Sequence, residues 1–221
     1  EKWISKYLEA LKMEINQYYN FEEIKSLYIG GGTPSCLNSS HLKDLLNILK
    51  MFNLNDKAEV TIECNLNDIN EKFLKSISKS RIKTLSIGIQ SFDEKKLQFL
   101  GRNASFNEAL DKINLCHKYG FSNINIDLIY ALPIETIKNL KKDLQIIKKL
   151  NIKHVSTYSL MIEPNTILAY QKIKPINEDI DYKMYKIITK TLKKYGFNHY
   201  EVSNFAKKGY ESKHNLTYWN N

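Results

Sequence analysis

Ser26-Leu27-Tyr28-Ile29-Gly30-Gly31-Gly32-Thr33-Pro34 is the stretch on which the reading of this chain turns. Residues 26–30 form a short apolar run that passes abruptly into glycine, the pattern of a buried strand opening into a loop. Glycines without Cβ atoms let a ligand come close to the loop backbone, whose N–H and C=O groups can then hold it. No Gly-Lys-Ser/Thr follows, so the loop is not a nucleotide P-loop, and its glycine spacing is not the dinucleotide fingerprint. A plain tight turn after a strand is the alternative.

Downstream the same pattern recurs: an apolar strand-like run, a polar or glycine end, then an amphipathic helix. The spacing predicts strands over 59–64, 84–89, 123–129, 154–160 and 198–202. It predicts helices over 2–19, 39–52, 70–78, 93–100, 105–119, 136–150 and 177–195, with a serine at 39 or 40 as the N-cap of the second. Lys118-Tyr119-Gly120-Phe121 and Lys194-Tyr195-Gly196-Phe197 repeat one junction, in which glycine ends a helix in left-handed conformation before a strand begins. Strands alternating with helices imply a parallel sheet with right-handed crossovers. A doubly wound sheet and part of a (β/α) barrel both satisfy that. Polar groups or glycines end nearly every strand, at Gly30–Pro34, Glu63-Cys64-Asn65, Gln90-Ser91, Asp127 and Met161-Ile162-Glu163-Pro164. One shared mouth at the strand ends explains them together, so the expected fold is α/β, a curved, partial parallel barrel.

Composition excludes several classes. At 221 residues, with 43% hydrophobic and 11% aromatic residues, the chain can bury a real core and is neither a disordered tail nor a fibrous repeat. The net charge is +9, yet only Arg81 and Arg102 are arginines, and the lysines fall on the solvent faces of amphipathic helices. Without a cluster of arginines and aromatics that could stack bases, nucleic acid is not an expected partner. Cys36, Cys64 and Cys116 are far apart and odd in number, which argues for a reducing, cytoplasmic compartment and for buried structural thiols. Glu1 is not a methionine, and the chain reads as an excerpt from a longer protein.

Glu63, Gln90, Arg102 and Asp127 are the side chains expected to join the glycine loop. A carboxylate or amide buried at a strand end is costly without a partner, either an internal one or a ligand with cationic and hydroxyl groups. Arg102 stands out in a chain that otherwise uses lysine, because a planar fork suits a carboxylate.

These residues carry a resemblance. LYIGGGTPS (27–35), TIECN (61–65), SIGIQSFDEKKLQFLGR (86–102) and NIDLIYALP (125–133) resemble the radical S-adenosylmethionine (SAM) proteins of the oxygen-independent coproporphyrinogen oxidase group. YSLMIEPNT (158–166) and YEVSNFAKKGYESKHNLTYW (200–219) are most similar to its heme-chaperone branch. The resemblance implies an α/β fold, a partial parallel (β/α)6 barrel core over 1–202, truncated at its N-terminus, with 203–221 beginning a C-terminal segment. It implies that Gly31, Gly32 and Thr33 hold the methionine end of SAM. Glu63, Gln90 and Asp127 would contact its ammonium and ribose hydroxyls, and Arg102 would pair with its carboxylate. It further implies a [4Fe–4S] cluster held by a CxxxCxxC loop. No CxxxCxxC is present, so the first strand and cluster loop are expected upstream of Glu1, in the parent protein, leaving no metal ligand here.

His214-Asn215-Leu216-Thr217-Tyr218-Trp219 resembles the branch's HNxxYW motif. His214 would then be a heme ligand, with Tyr218 and Trp219 covering the porphyrin. Alternatively His214 hydrogen-bonds in a loop while Tyr218 and Trp219 pack against the barrel's open side. The function implied is heme binding and delivery to an apo-protein, with handover at a membrane surface an expected peripheral contact. The alternative is oxidative decarboxylation of coproporphyrinogen III. An unrelated (β/α) sugar-phosphate enzyme would need only the glycine loop and would leave the Glu63–Gln90–Arg102–Asp127 set unexplained.

Overall fold

The computed structural model describes residues 3–220. Helix α1 (Ile4–Tyr18) precedes strand β1 (Ile24–Ile29), and then helices and strands alternate. The sequence continues with α2 (Ser39–Ile48), β2 (Leu54–Asn65), α3 (Glu71–Ile77), β3 (Thr84–Gln90), α4 (Glu94–Phe99), α5 (Phe106–Lys118), β4 (Asn123–Tyr130), α6 (Ile137–Ile147) and β5 (His154–Ser159). Then come α7 (Ile167–Tyr170), α8 (Glu178–Lys194), β6 (Asn198–His199), β7 (Asn204–Ala206) and α9 (Lys213–Asn220). One sheet has the order β1-β2-β3-β4-β5-β7-β6, and its first five strands are parallel.

Most helices begin one residue later than their periodicity suggests. Asn70, Asp93, Ser105, Thr136 and Asn177 keep extended backbone and accept a hydrogen bond from a first-turn N–H, so each caps its helix from outside. The cap of α2 is Asn38, not a serine: its side chain accepts from the His41 N–H, which leaves Ser39 and Ser40 within the helix. Gly120 and Gly196 carry φ of +88° and +80°, as the repeated junction requires.

The last strand departs from expectation. Residues 198–202 supply only the two-residue β6, and β7 lies between it and β5, antiparallel to both. Tyr200 to Ser203 turn the chain back into a hairpin, so the sixth strand closes the sheet as a hairpin rather than as another βα unit. The domain boundary expected after Val202 falls inside this hairpin.

Strand alternation sorts the sheet's two faces. Ile62, Leu85, Ile87, Ile124, Ile126 and Val155 are fully buried on the helix-covered side, and each such side chain contributes roughly 1.5–3 kcal/mol. The other face is polar. Thr61 and Glu63 on β2, Ser86 on β3, Asn125 and Asp127 on β4 and Ser156 on β5 line one internal cavity. The segment after β7 crosses that face, because Ser212 donates to Glu59 of β2 and α9 packs against β1. The sheet therefore curls around its polar face as a half-barrel. β1 is paired on one side only among the described residues, and an apolar groove of about 630 Å³ separates α1 from it.

Candidate functional site

The glycine loop begins where β1 runs out of room. A Cβ on Gly30 would sit 2.8 Å from the Glu63 carboxyl group and from the Tyr28 ring, so a larger residue would push both side chains out of place. Gly31, Gly32 and Thr33 follow with φ of +76°, +63° and +59°, a left-handed run that costs the two glycines little and strains Thr33. Space beside Gly31 and Gly32 is open, with no atom within 4 Å of a built Cβ. Glu63 ties the loop to β2 by accepting from the Gly31 N–H at 3.1 Å and from the Tyr28 hydroxyl at 3.0 Å.

Glu63 and Asp127 line the same cavity, about 270 Å³ in volume. Burial pushes the Asp127 carboxyl up to about 6. The Glu63 charge adds to the rise, while hydrogen bonds from Asn125, Ser156 and Ser86 oppose it. The Asn125 amide donates to Asp127 at 2.8 Å and to Ser86 at 2.8 Å. Gln90 ends β3 with φ +71° after a register shift, and its amide nitrogen lies 2.9 Å from where a Gly88 Cβ would be. Gly88, the register partner of Asp127, therefore leaves room for the Gln90 side chain to fold back over the strand end. Arg102 is exposed and lines a neighbouring cavity of about 430 Å³ with Asn65 and Gly88. Glu63 and Asp127 thus share one chamber and Arg102 borders the next, while Gln90, at the end of β3, lines neither.

A network that the sequence reading missed runs from Asp127 toward the barrel floor. The Asn125 Nδ2 hydrogens go to Ser86 and Asp127, so its Oδ1 accepts from His154 Nδ1 at 2.6 Å. His154 Nε2 must then be the acceptor for the Tyr200 hydroxyl, also at 2.6 Å. Burial holds the His154 imidazole neutral by pushing its pKa down to about 4. The signal was available: Asn123-Ile124-Asn125-Ile126-Asp127 alternates polar with apolar on a strand buried on both faces.

His214 lies on α9 and is exposed, with its ring stacked on Tyr28 at 4.7 Å between centroids. Tyr218 and Trp219, 80% and 56% exposed, meet edge to face at 6.3 Å. HNLTYW is thus a helix, and its two large aromatics face solvent instead of packing against the barrel. The cysteines also divide. Cys64 and Cys116 are buried, their thiols pushed up by desolvation, Cys116 to about 12, whereas Cys36 is exposed and corrects the expectation of three buried thiols.

Residues 1–147 match the radical SAM superfamily. The chain belongs to that superfamily. Among relatives of this radical SAM chain, the "Heme chaperone HemW" of Lactococcus lactis is 39% identical over 99% of the chain and 59% of the relative. The protein of that name from Escherichia coli is 34% identical over 91% and 54%. The chain therefore spans 54–59% of the length of these two curated relatives. Among solved structures, the radical SAM enzyme coproporphyrinogen III oxidase (HemN) of Escherichia coli superposes with a TM-score of 0.84. That match has 24% identity and covers 98% of this chain and 51% of that one. At that identity the likeness speaks for the fold: a curled, mostly parallel half-barrel.

The superfamily is one of SAM and a [4Fe–4S] cluster. The donor types suit SAM, a zwitterion with a ribose diol: Glu63, bonded to the glycine loop, shares a chamber with Asp127, and the Arg102 guanidinium lines a neighbouring cavity. The residues do not fit the cluster. Two thiols are buried on the apolar side, the third is alone, and among the described residues no group of three His, Cys, Asp or Glu side chains could hold a metal.

Proposed function

We propose that this chain is the greater part of a heme chaperone of the HemW kind, which binds heme through α9 and delivers it to an apo-protein. The observation that carries the reading is the exposed imidazole of His214 on a helix whose Tyr218 and Trp219 also face solvent. Two adjacent solvent-facing aromatics beside an exposed imidazole offer flat faces and an iron ligand on one short helix, which together suit a porphyrin. The HemW relatives at 33–40% identity support it, whereas the likeness to HemN speaks for the fold alone. In this reading His214 ligates the iron. The apo-hemoprotein recipient, contact with a membrane surface at handover and a cytoplasmic setting belong to the same proposal. The described residues include no helix long and apolar enough to cross a membrane. Hemin added to the protein is expected to give a Soret shift, and His214→Ala to weaken hemin binding by roughly tenfold or more. An unchanged spectrum and affinity in that variant removes His214 as ligand.

The SAM site belongs to the same proposal. Gly31, Gly32 and Thr33 present backbone to the methionine end, Glu63, Gln90 and Asp127 take the ammonium and ribose hydroxyls, and Arg102 pairs with the carboxylate. When bound, SAM would supply the radical precursor of the superfamily's chemistry, the electron coming from the cluster; these side chains would bind and orient it. Arg102→Lys keeps the charge but loses the planar fork, and SAM affinity is expected to fall about tenfold. Equal affinity by calorimetry would remove the carboxylate pair.

A further inference from the structure

Eight residues are too few for a helix to persist in water without help, so something must hold α9 (Lys213–Asn220) in place. Two side chains from the barrel meet its first turn. The Glu59 carboxylate, on the inner face of β2, accepts from the Ser212 hydroxyl at 2.9 Å and from the Lys213 N–H at 3.1 Å. Ser212 in turn lies 3.4 Å from the Asn215 N–H, in the position of an N-cap. The Tyr200 oxygen accepts from the Ser212 N–H at 3.3 Å and from the Asn215 amide at 3.2 Å. Tyr200 is free to accept because its own proton goes to His154 Nε2, which the Asn125–His154 bond has made an acceptor. The clasp thus has a fixed polarity, and its negative member sits at the positive end of the helix. The next residue after Lys213 is His214, stacked on Tyr28.

We infer that Glu59 and Tyr200 are positioning residues for heme: they clamp the N-terminus of α9 and thereby fix where the His214 imidazole stands. The inference rests on the heme reading above. Tyr200→Phe removes the two bonds accepted from α9's first turn together with the one donated to His154, and keeps the ring; Glu59→Gln turns one acceptor oxygen into a donor facing donors. Each variant is expected to speed amide exchange across 213–220 and to weaken hemin binding, both roughly fivefold, with exchange in β2–β4 unchanged and the Soret band displaced. Unchanged exchange across 213–220 in both variants overturns the clasp. Faster exchange with hemin affinity and Soret position as in the parent protein overturns the positioning role. His214→Ala separates the two readings. If it loses hemin while Tyr200→Phe and Glu59→Gln do not, the heme reading stands and this inference falls. If it binds hemin normally, both fall.

Discussion

Lys96→Met is expected to cost about 3–5 kcal/mol, a large part of the roughly 5–15 kcal/mol that holds a domain of this kind together. Lys96 on α4 is 1% exposed, and its ammonium sits 2.5 Å from Glu135 and 2.9 Å from Asp143. Burial pushes the Glu135 carboxyl up even though the ammonium draws it down, so the site is already short of solvation. Removing the cation leaves two carboxylates buried together. Their other contacts cannot compensate: Asp143 accepts from the Ser91 hydroxyl at 2.7 Å and the Phe92 N–H at 3.0 Å, and Glu135 accepts from the Leu132 N–H at 3.3 Å. Urea unfolding of Lys96→Met alone and of Lys96→Met with Glu135→Gln and Asp143→Asn decides the matter. Partial recovery in the triple variant is expected, because the cost lies in unpaired charge. A loss below about 1 kcal/mol in the single variant would show that water reaches the triad.

The triad also bears on the site. Ser91 and Phe92 directly follow Gln90, and Lys96 stands within the α4 turn that leads to Arg102. Locking these segments to α6 fixes the loop between two of the proposed SAM contacts. A protein that uses buried charge here, where apolar packing would be no less stable, gains a defined loop geometry.

How far the sequence carried can be judged from individual residues. Apolar runs ending in Gly30, Cys64 and Gln90 gave the parallel strands because a strand covered on its outer face must read apolar at alternate positions at least. The hairpin at 198–206 was hidden, since two and three residues are too few to show a period, and its pairing with β5 is a long-range event. Glu63 and Asp127 were legible as strand-end carboxylates. His154 was not, because it begins its strand and a lone histidine carries no signal of the Asn125 and Tyr200 that orient it. Lys96 gave none either, but Asp143 did: it interrupts the buried stripe Leu140–Leu144–Ile147 of α6, and a carboxylate at such a position needs a buried partner. Asn38, one residue before the serines, shows how weakly sequence separates neighbouring capping candidates.

Asp127 and His154 should pull the pH dependence of stability in opposite directions over nearly the same range. His154 titrates near 4 in the fold against about 6.5 in an unfolded chain. Between these values the unfolded state holds the extra proton, so this contribution is complete above 6.5 and is lost as pH falls toward 4. Asp127 titrates near 6 in the fold against about 3.8 unfolded. There the folded state holds the extra proton, so stability falls as pH rises from 3.8 to 6. Each shift corresponds to about 3 kcal/mol, and with both groups present the slopes nearly cancel between pH 4 and 6. Asp127→Asn is expected to lift stability at pH 7 by up to about 3 kcal/mol and to uncover the His154 slope, with steep loss on acidification. His154→Asn should uncover the reverse slope, with stability relative to the parent protein improving from pH 6 down to 4. Urea unfolding at pH 4, 5, 6 and 7 reads both, and an Asp127→Asn profile parallel to the parent's would refute the shift. An aspartate that weakens the fold whenever it ionises is poorly explained by folding. Hydroxyl donors or a cationic group arriving beside it would relieve the strain of its charge, so the same residue that costs stability on ionising would favour a bound ribose or ammonium.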